Sequence, residues 1–148
     1  MKKSISNIAL LVIMLWASKA SAQDFTRVFS SGASLLYRDV VSIQVADYDK
    51  TTVHYWKNNY IRFEISVQVS EDRVKFLDDI QVRYSPTIDT AGTYLNIRFD
   101  RLDDIIMINR RYWKDDVHIT VYLPEKTNKM IFIEDLKRRE DLAQNVGE

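Results

Sequence analysis

Two histidines are the side chains best suited to proton transfer or metal binding in this sequence. His54 and His118 are not spaced as His-x-x-x-His or His-Glu-x-x-His, the patterns that place two imidazoles on one metal ion. Each lies at a polar position of a segment in which apolar and polar residues alternate, which predicts a solvent-facing strand residue. A joint metal or acid–base site would require the two strands to pair.

Three pairs of adjacent aspartates are the next candidates for chemistry. They are Asp78 with Asp79, Asp103 with Asp104, and Asp115 with Asp116. Paired carboxylates can serve a glycosidase or bind calcium, but calcium loops space their ligands as Asp-x-Asp-x-Asp-Gly, and the sequence lacks that pattern. Each pair lies at a predicted turn or helix end, so turn or cap roles are favoured.

Nucleophilic chemistry has no recognisable motif in the chain. There is no Gly-x-Ser-x-Gly elbow, and the absence of cysteine excludes thiol catalysis and cysteine-ligated metal sites. No catalytic residue, metal ligand or cofactor-binding residue is therefore predicted.

Four aromatic residues beside polar turns are possible binding residues. They are Tyr55 and Trp56, followed by Lys-Asn-Asn, and Tyr112 and Trp113, followed by Lys-Asp-Asp. Neighbours on a strand face opposite sides, so one ring of each pair should be buried and the other directed to the surface. An exposed ring can stack on a sugar or anchor a protein contact, whereas core packing and cross-strand pairing are the alternative. The expected partner is a protein or a glycan at the cell envelope.

The elements that must position these residues are mostly strands. Apolar residues alternate with polar ones in residues 41–45, 61–69, 95–99 and 117–123, and β-branched and aromatic types fill residues 52–56. The period changes after Ser70, where Val74, Leu77 and Ile80 recur at helical spacing. The sequence thus predicts a mainly β fold, an antiparallel β-sandwich or a solenoid-like sheet, with one short helix near 71–79.

Four shorter segments complete this prediction. Residues 81–84 are expected to return to a strand, and residues 85–92 to form a loop or turn between Ser-Pro and Ala-Gly. The apolar run 105–108 is expected to be a short buried strand, and residues 30–32 a flexible entry to the first core strand.

The first 22 residues have the order of parts of a secretory signal peptide. Lys2 and Lys3 precede an apolar run of about nine residues at 8–16, and Ala20 and Ala22 supply the small residues that a signal peptidase reads. Export to the periplasm, the cell surface or the extracellular space is therefore predicted. Residues 23–148 should form a single β-rich domain with a charged C-terminal tail from about residue 134, and no later apolar run is long enough to span a membrane.

Charge argues against a nucleic-acid partner. The chain balances 21 basic and 21 acidic residues, and three of the lysines but none of the acids fall in the leader, which leaves residues 23–148 with a net charge of −3. A mildly acidic domain lacks the basic footprint that phosphate contacts require.

Residues 36–133 contain a long alternating strand, the segment SEDRVKFLDDIQV at 70–82, a strand at 94–99, and a strand that ends at Leu123 and Pro124. This order of segments resembles the opening part of the exported adhesin-type β-repeat family of Bacteroidetes. It implies an adhesion role, β-rungs stacked as a solenoid, and no catalytic residues. Where the repeats of that family would begin, this chain has its charged tail, so a truncated relative of a longer adhesin is a third reading.

The function predicted from the sequence is an exported, non-catalytic binding or structural module of the cell envelope. The alternative is an exported hydrolase of unrecognised type, with a site built from the acidic turns and a histidine. Convergence of His118 with two carboxylates in a concave pocket would favour the hydrolase, and a sheet surface with exposed aromatics would favour the binding module.

Overall fold

The computed structural model describes residues 24–135, and the fold over this range is mainly β, as predicted. The leader with its cleavage residues Ala20 and Ala22, and residues 136–148 of the charged tail, lie outside the described range. The strands within it are β1 (Asp24–Ser34), β2 (Val40–Val45), β3 (Thr51–Trp56), β4 (Tyr60–Ser70), β5 (Thr87–Ala91), β6 (Tyr94–Arg98), β7 (Met107–Ile108), β8 (Arg111–Tyr112), β9 (Asp116–Pro124) and β10 (Met130–Asp135).

Two four-stranded sheets enclose the hydrophobic core. The first has the strand order β1-β4-β9-β3, the second has the order β10-β2-β6-β5, and β7 pairs with β8 in a separate two-stranded sheet. In β4 every second residue from Ile61 to Val69 is buried, which is the alternation expected of a strand with one face on the core. Phe63 of the first sheet meets Phe99, which follows β6, with ring centroids 5.3 Å apart. The two sheets therefore pack face to face as a sandwich.

The strand directions differ from the antiparallel arrangement predicted. β4 is antiparallel to both β1 and β9, and β5 to β6, but β3 runs parallel to β9, and β2 runs parallel to both β6 and β10. Alternation of apolar residues records which face of a strand is buried and carries no information on the direction of its neighbour. The sequence pattern could therefore predict the strands but not these parallel pairs.

The helical turns of residues 24–135 are 3₁₀ rather than α. The predicted helix near 71–79 is a 3₁₀ helix at Glu71–Phe76, and Leu77 after it is buried in the core. The prediction of a strand at 81–84 is wrong, because Gln81–Tyr84 forms the third of the four 3₁₀ turns in the described range, with Arg83 and Tyr84 buried. Alternation would place Val82 and Tyr84 together on the core face, but in the turn Val82 is 56% exposed and Arg83 is buried beside Tyr84. Within the described range no helix is long and apolar enough to cross a membrane.

Three other segments depart from the predictions. Residues 30–32 lie inside β1, where Gly32 pairs with Arg62 and a Cβ would sit 3.6 Å from the Tyr60 ring. The predicted loop at 85–92 contains the edge strand β5. The apolar run at 105–108 contributes only the two residues of β7, and Ile105 is among the most exposed apolar residues. In β5 and β7 the side chains are mostly exposed, so apolar alternation is a poor guide to them.

Candidate functional site

The two histidines lie on paired strands but do not meet. β3 pairs with β9, and His54 is opposite Tyr122, with their rings stacked at 5.6 Å. His118 lies four residues earlier on β9, about 13 Å away along the strand, and its Nε2 is 2.8 Å from Thr52 Oγ1. This register brings the two strands together, as a joint site would require, but keeps the imidazoles apart.

One or both carboxylates of two acidic pairs, Asp78–Asp79 and Asp115–Asp116, are engaged in local contacts, whereas the side chains of Asp103 and Asp104 are exposed. Asp78 forms an exposed salt bridge with Arg27 at 2.6 Å. Asp116 accepts a hydrogen bond from Lys50 Nζ at 2.7 Å, which lowers the pKa of the carboxyl and raises that of the ammonium group. Asp115 is nearly buried and contacts Arg83. Within residues 24–135 no group of three or more histidine and carboxylate side chains is placed to hold a metal ion.

One cavity does collect carboxylates at the end of the sandwich where β4 finishes. It encloses about 390 Å³ and is lined by Asp24, Asp115 and Asp116 together with Arg73 and Lys114. His118 is not part of its lining, so the convergence that would favour a hydrolase is not formed there.

The four predicted binding aromatics divide between the two ends of the sandwich. In both pairs the tyrosine is the exposed ring, with Tyr55 67% and Tyr112 63% exposed, while Trp56 and Trp113 are half-buried. β9 begins near Trp113 and ends opposite Trp56. The long strands between these ends extend about 34 Å. Trp113 lines one cavity, and Trp56 contacts residues that line another.

The larger cavity opens where β1 ends, β4 begins and β9 ends. We call it the Tyr37 cleft. It encloses about 720 Å³ between the loops 34–37, 59–60 and 124–129. Its exposed apolar surface comes from Leu36, Tyr37 and Tyr60. Its polar lining includes Asn59 and Asn128, whose side chains form no hydrogen bond with any residue in the range 24–135.

Tyr37 sits at the tip of a strained turn. Arg38 N–H donates to Leu35 O at 3.1 Å, which closes a four-residue turn, and Tyr37 at its third position has φ = 61°. That left-handed position favours glycine or asparagine, and another residue there costs about 1–2 kcal/mol. The ring is nevertheless 80% exposed and the neighbouring Leu36 is 67% exposed. The turn therefore places two apolar side chains in solvent at the rim of the cleft.

Trp56 supports the Tyr37 cleft without lining it. Its Nε1–H donates to Tyr60 O at 2.9 Å, and its ring meets the Tyr60 ring edge-on at 4.7 Å. Glu125 N–H donates to Trp56 O at 2.8 Å and ties the loop after β9 to the end of β3. Trp56 thus fixes two of the three loops that form the cleft.

A smaller cavity lies at the opposite end, between the 3₁₀ helix Glu71–Phe76 and the β7–β8 hairpin. We call it the Trp113 cavity. It encloses about 280 Å³ and is lined by the aromatic rings of Phe76, Tyr112 and Trp113 and by the charged residues Asp72, Arg73, Lys75 and Arg111. The hairpin turns through Asn109 and Arg110, both with positive φ, as a two-residue type I′ turn requires.

Cations outnumber acids in the Trp113 cavity by three to one. The exception, Asp72, accepts a hydrogen bond from Ser70 Oγ at 2.7 Å, which lowers the pKa of its carboxyl and keeps it ionised. Arg73 lies over the Trp113 ring at 5.5 Å and donates to Lys114 O. Lys75 and Arg111 are exposed, and neither forms a salt bridge or a side-chain hydrogen bond with any residue between 24 and 135.

A buried network that the sequence did not predict holds Trp113 in place. The Arg83 guanidinium donates to the backbone oxygens of Arg101, Leu102 and Asp104 at 2.6–2.8 Å and to Asp115 Oδ2 at 3.3 Å. We call this arrangement the Arg83 clamp. In the sequence, the only sign of this clamp is the charge of Arg83 in the segment 81–84, where the other residues are uncharged.

Tyr84 links the Arg83 clamp to the Trp113 cavity. Its hydroxyl donates to Asp115 Oδ2 at 2.8 Å and accepts from Trp113 Nε1–H at 3.1 Å. Burial, followed by the bond to the Asp115 carboxylate, raises the pKa of Tyr84 well above its ordinary value. The hydroxyl therefore stays protonated and keeps donating to Asp115 at neutral pH.

No protein-family model, no curated protein and no solved structure matches this chain. The Tyr37 cleft and the Trp113 cavity are therefore interpreted from their own geometry.

Proposed function

We propose that this chain is an exported, non-catalytic binding module of the cell envelope and that the Tyr37 cleft holds carbohydrate. The observation that carries the proposal is the cleft itself, in which exposed tyrosine rings stand beside amide side chains without partners. The C–H face of a sugar packs on an aromatic ring, while its hydroxyls take hydrogen bonds from amides such as those of Asn59 and Asn128.

Two sequence features support the cellular setting of this proposal. The order of a basic start, an apolar run and Ala-x-Ala over residues 1–22 is that of an export leader. The resemblance of residues 36–133 to exported adhesin-type β-repeat proteins agrees with a binding role at the cell surface.

The test is binding of the purified protein to a panel of immobilised neutral oligosaccharides. We expect retention on at least one of them, and a loss of affinity of about tenfold in Tyr37→Ala and in Tyr60→Ala, because each removes one anchoring ring. Tyr55→Ala is the matched control, since this tyrosine is also exposed, at 67%, but does not line the cleft.

Three results would overturn the proposal. One is failure to bind any neutral oligosaccharide of the panel. Another is an equal loss of binding in Tyr55→Ala, which would place the contact outside the Tyr37 cleft. The third is the release of shorter sugars from a bound oligosaccharide, measured by chromatography, because the module would then be a hydrolase.

A further inference from the structure

The Trp113 cavity has a chemistry different from that of the Tyr37 cleft. Its rim carries Arg73, Lys75 and Arg111 against one carboxylate, in a domain whose net charge over residues 23–148 is negative. Like charges are not gathered around a concavity without cost, because each repels the others. An anion between them would offset that repulsion.

Two of these cations are available to a ligand. Among residues 24–135, no oxygen accepts a hydrogen bond from the Lys75 ammonium, which lies over the Phe76 ring at 5.0 Å, or from the Arg111 guanidinium, whose charge helps to lower the pKa of Asp72. A guanidinium presents two parallel N–H groups that match a carboxylate, sulfate or phosphate, and an ammonium adds a compact positive charge. The free groups therefore fit an oxyanion.

The floor of the Trp113 cavity is aromatic and rigid. Trp113 Nε1 is bonded to Tyr84, its backbone N–H donates to Ile106 O at 2.8 Å, and Arg73 covers part of its ring. Tyr112 beside it is 63% exposed. Tyr112 and the part of the Trp113 ring that Arg73 leaves uncovered offer an apolar surface at little entropic cost.

From the free cations over a fixed aromatic floor, we propose that the Trp113 cavity binds an acidic sugar, with Lys75 and Arg111 on its carboxylate, sulfate or phosphate and Tyr112 and Trp113 against its ring. The volume of about 280 Å³ is at the lower end of ligand pockets and suits one sugar ring. The site is about a strand length from the Tyr37 cleft and does not depend on carbohydrate binding there.

Trp113 itself can report the binding. The chain has three tryptophans, so the variant Trp16→Phe/Trp56→Phe leaves Trp113 as the only one, whether or not the leader is present. The probes are glucuronate, galacturonate, N-acetylneuraminate, glucose 6-sulfate and glucose 6-phosphate, with glucose, galactose and inorganic sulfate as references. At least one acidic sugar should change Trp113 fluorescence with an affinity at least about tenfold above its neutral counterpart, and added salt should weaken it.

Variants separate this site from the rest of the surface. Arg111→Gln and Lys75→Gln should each weaken binding about tenfold, and Lys126→Gln, an exposed lysine of the Tyr37 cleft, should leave it unchanged. The proposal is overturned if acidic sugars bind no tighter than neutral ones, or if inorganic sulfate binds as tightly as the best sugar. Tighter binding to phosphatidylglycerol vesicles than to any of these sugars would overturn it as well.

Discussion

At the scale of single residues, unusual backbone conformations occur at the Tyr37 cleft and at the Trp113 cavity. The non-glycine residues with positive φ between residues 24 and 135 are Tyr37, Asn109 and Arg110. Tyr37 is at the rim of one cavity, and the other two form the hairpin turn at the second. The hairpin turn accounts for Asn109 and Arg110, whereas the strained conformation of Tyr37 agrees with the binding role proposed for its cleft, because such residues are often found at functional sites.

Tyr37→Gly should make the protein more stable while weakening carbohydrate binding. Relief of the left-handed strain outweighs the entropy that glycine adds to the unfolded chain, so we expect a gain of about 0.5–1 kcal/mol in the free energy of unfolding. Urea denaturation measures this. Leu36→Gly is the control, because Leu36 has no positive φ and its replacement adds only the entropy. An equal gain in both variants would contradict the account of strain.

The residues of the two cavities could be predicted from the sequence only in part. Tyr112 and Trp113 were found because aromatic residues beside a polar turn stand out in one short segment. Tyr37, Asn59 and Asn128 come from three loops far apart in the chain, and only the closing of the sandwich brings them together. Arg83 was missed because its partners are mostly backbone oxygens, which leave no pattern in side-chain types.

At the scale of elements, the Arg83 clamp does for this cysteine-free chain what a local cross-link would do. It binds the 3₁₀ turn Gln81–Tyr84 to the turn Asp100–Asp103 and, through Asp115, to the start of β9. These short elements have few internal hydrogen bonds of their own. A buried guanidinium with four of its five N–H groups engaged can hold them, because removing a partner would leave a buried polar group unsatisfied.

The stability of the protein should fall at alkaline pH through Tyr84. Its pKa is raised in the folded state, so the folded protein holds the phenolic proton more tightly than the unfolded chain does. Stability is then lost as the pH rises past the ordinary tyrosine pKa of about 10. Tyr84→Phe should be less stable than wild type at neutral pH by about 1–2 kcal/mol, and the difference should shrink above about pH 10.

Urea denaturation of both proteins at neutral and alkaline pH measures the coupling. Tyr112→Phe, which removes the hydroxyl of an exposed ring, should keep the wild-type profile. A stability difference between Tyr84→Phe and wild type that is the same at both pH values would show that the Tyr84 proton is not linked to folding.

The elements themselves were predictable where burial is one-sided. β4 and β9 alternate strictly because each has one face on the core, and both were predicted within a residue or two. The sequence pattern misassigned or only partly predicted β5, β7 and the 3₁₀ turns. Their side chains are mostly exposed, or their segments are too short to show a period.

At the scale of the whole molecule, the leader should be removed after Ala22. Expressed with residues 1–22 in a Gram-negative host, the protein should reach the periplasm with Gln23 at its N-terminus, because Ala20 and Ala22 fit the small-residue rule. Intact-mass measurement decides this, and retention of residues 1–22 would contradict it. Ala20→Leu should block cleavage, whereas Ser21→Leu, between the two recognised positions, should leave it unchanged.

The parallel pairs within the two sheets have a consequence for when the chain can fold. β2 needs β10 on one side, with Val40 opposite Met130, and β3 needs β9, with Thr51 opposite Ile119. Pairings between such distant residues are slow to form, because the loop between them must close before any contact is gained. Neither sheet can be completed while the C-terminal strands are still being made. A chain of this topology can close its sandwich only after synthesis has passed β10, and such late closure would suit the export that residues 1–22 predict.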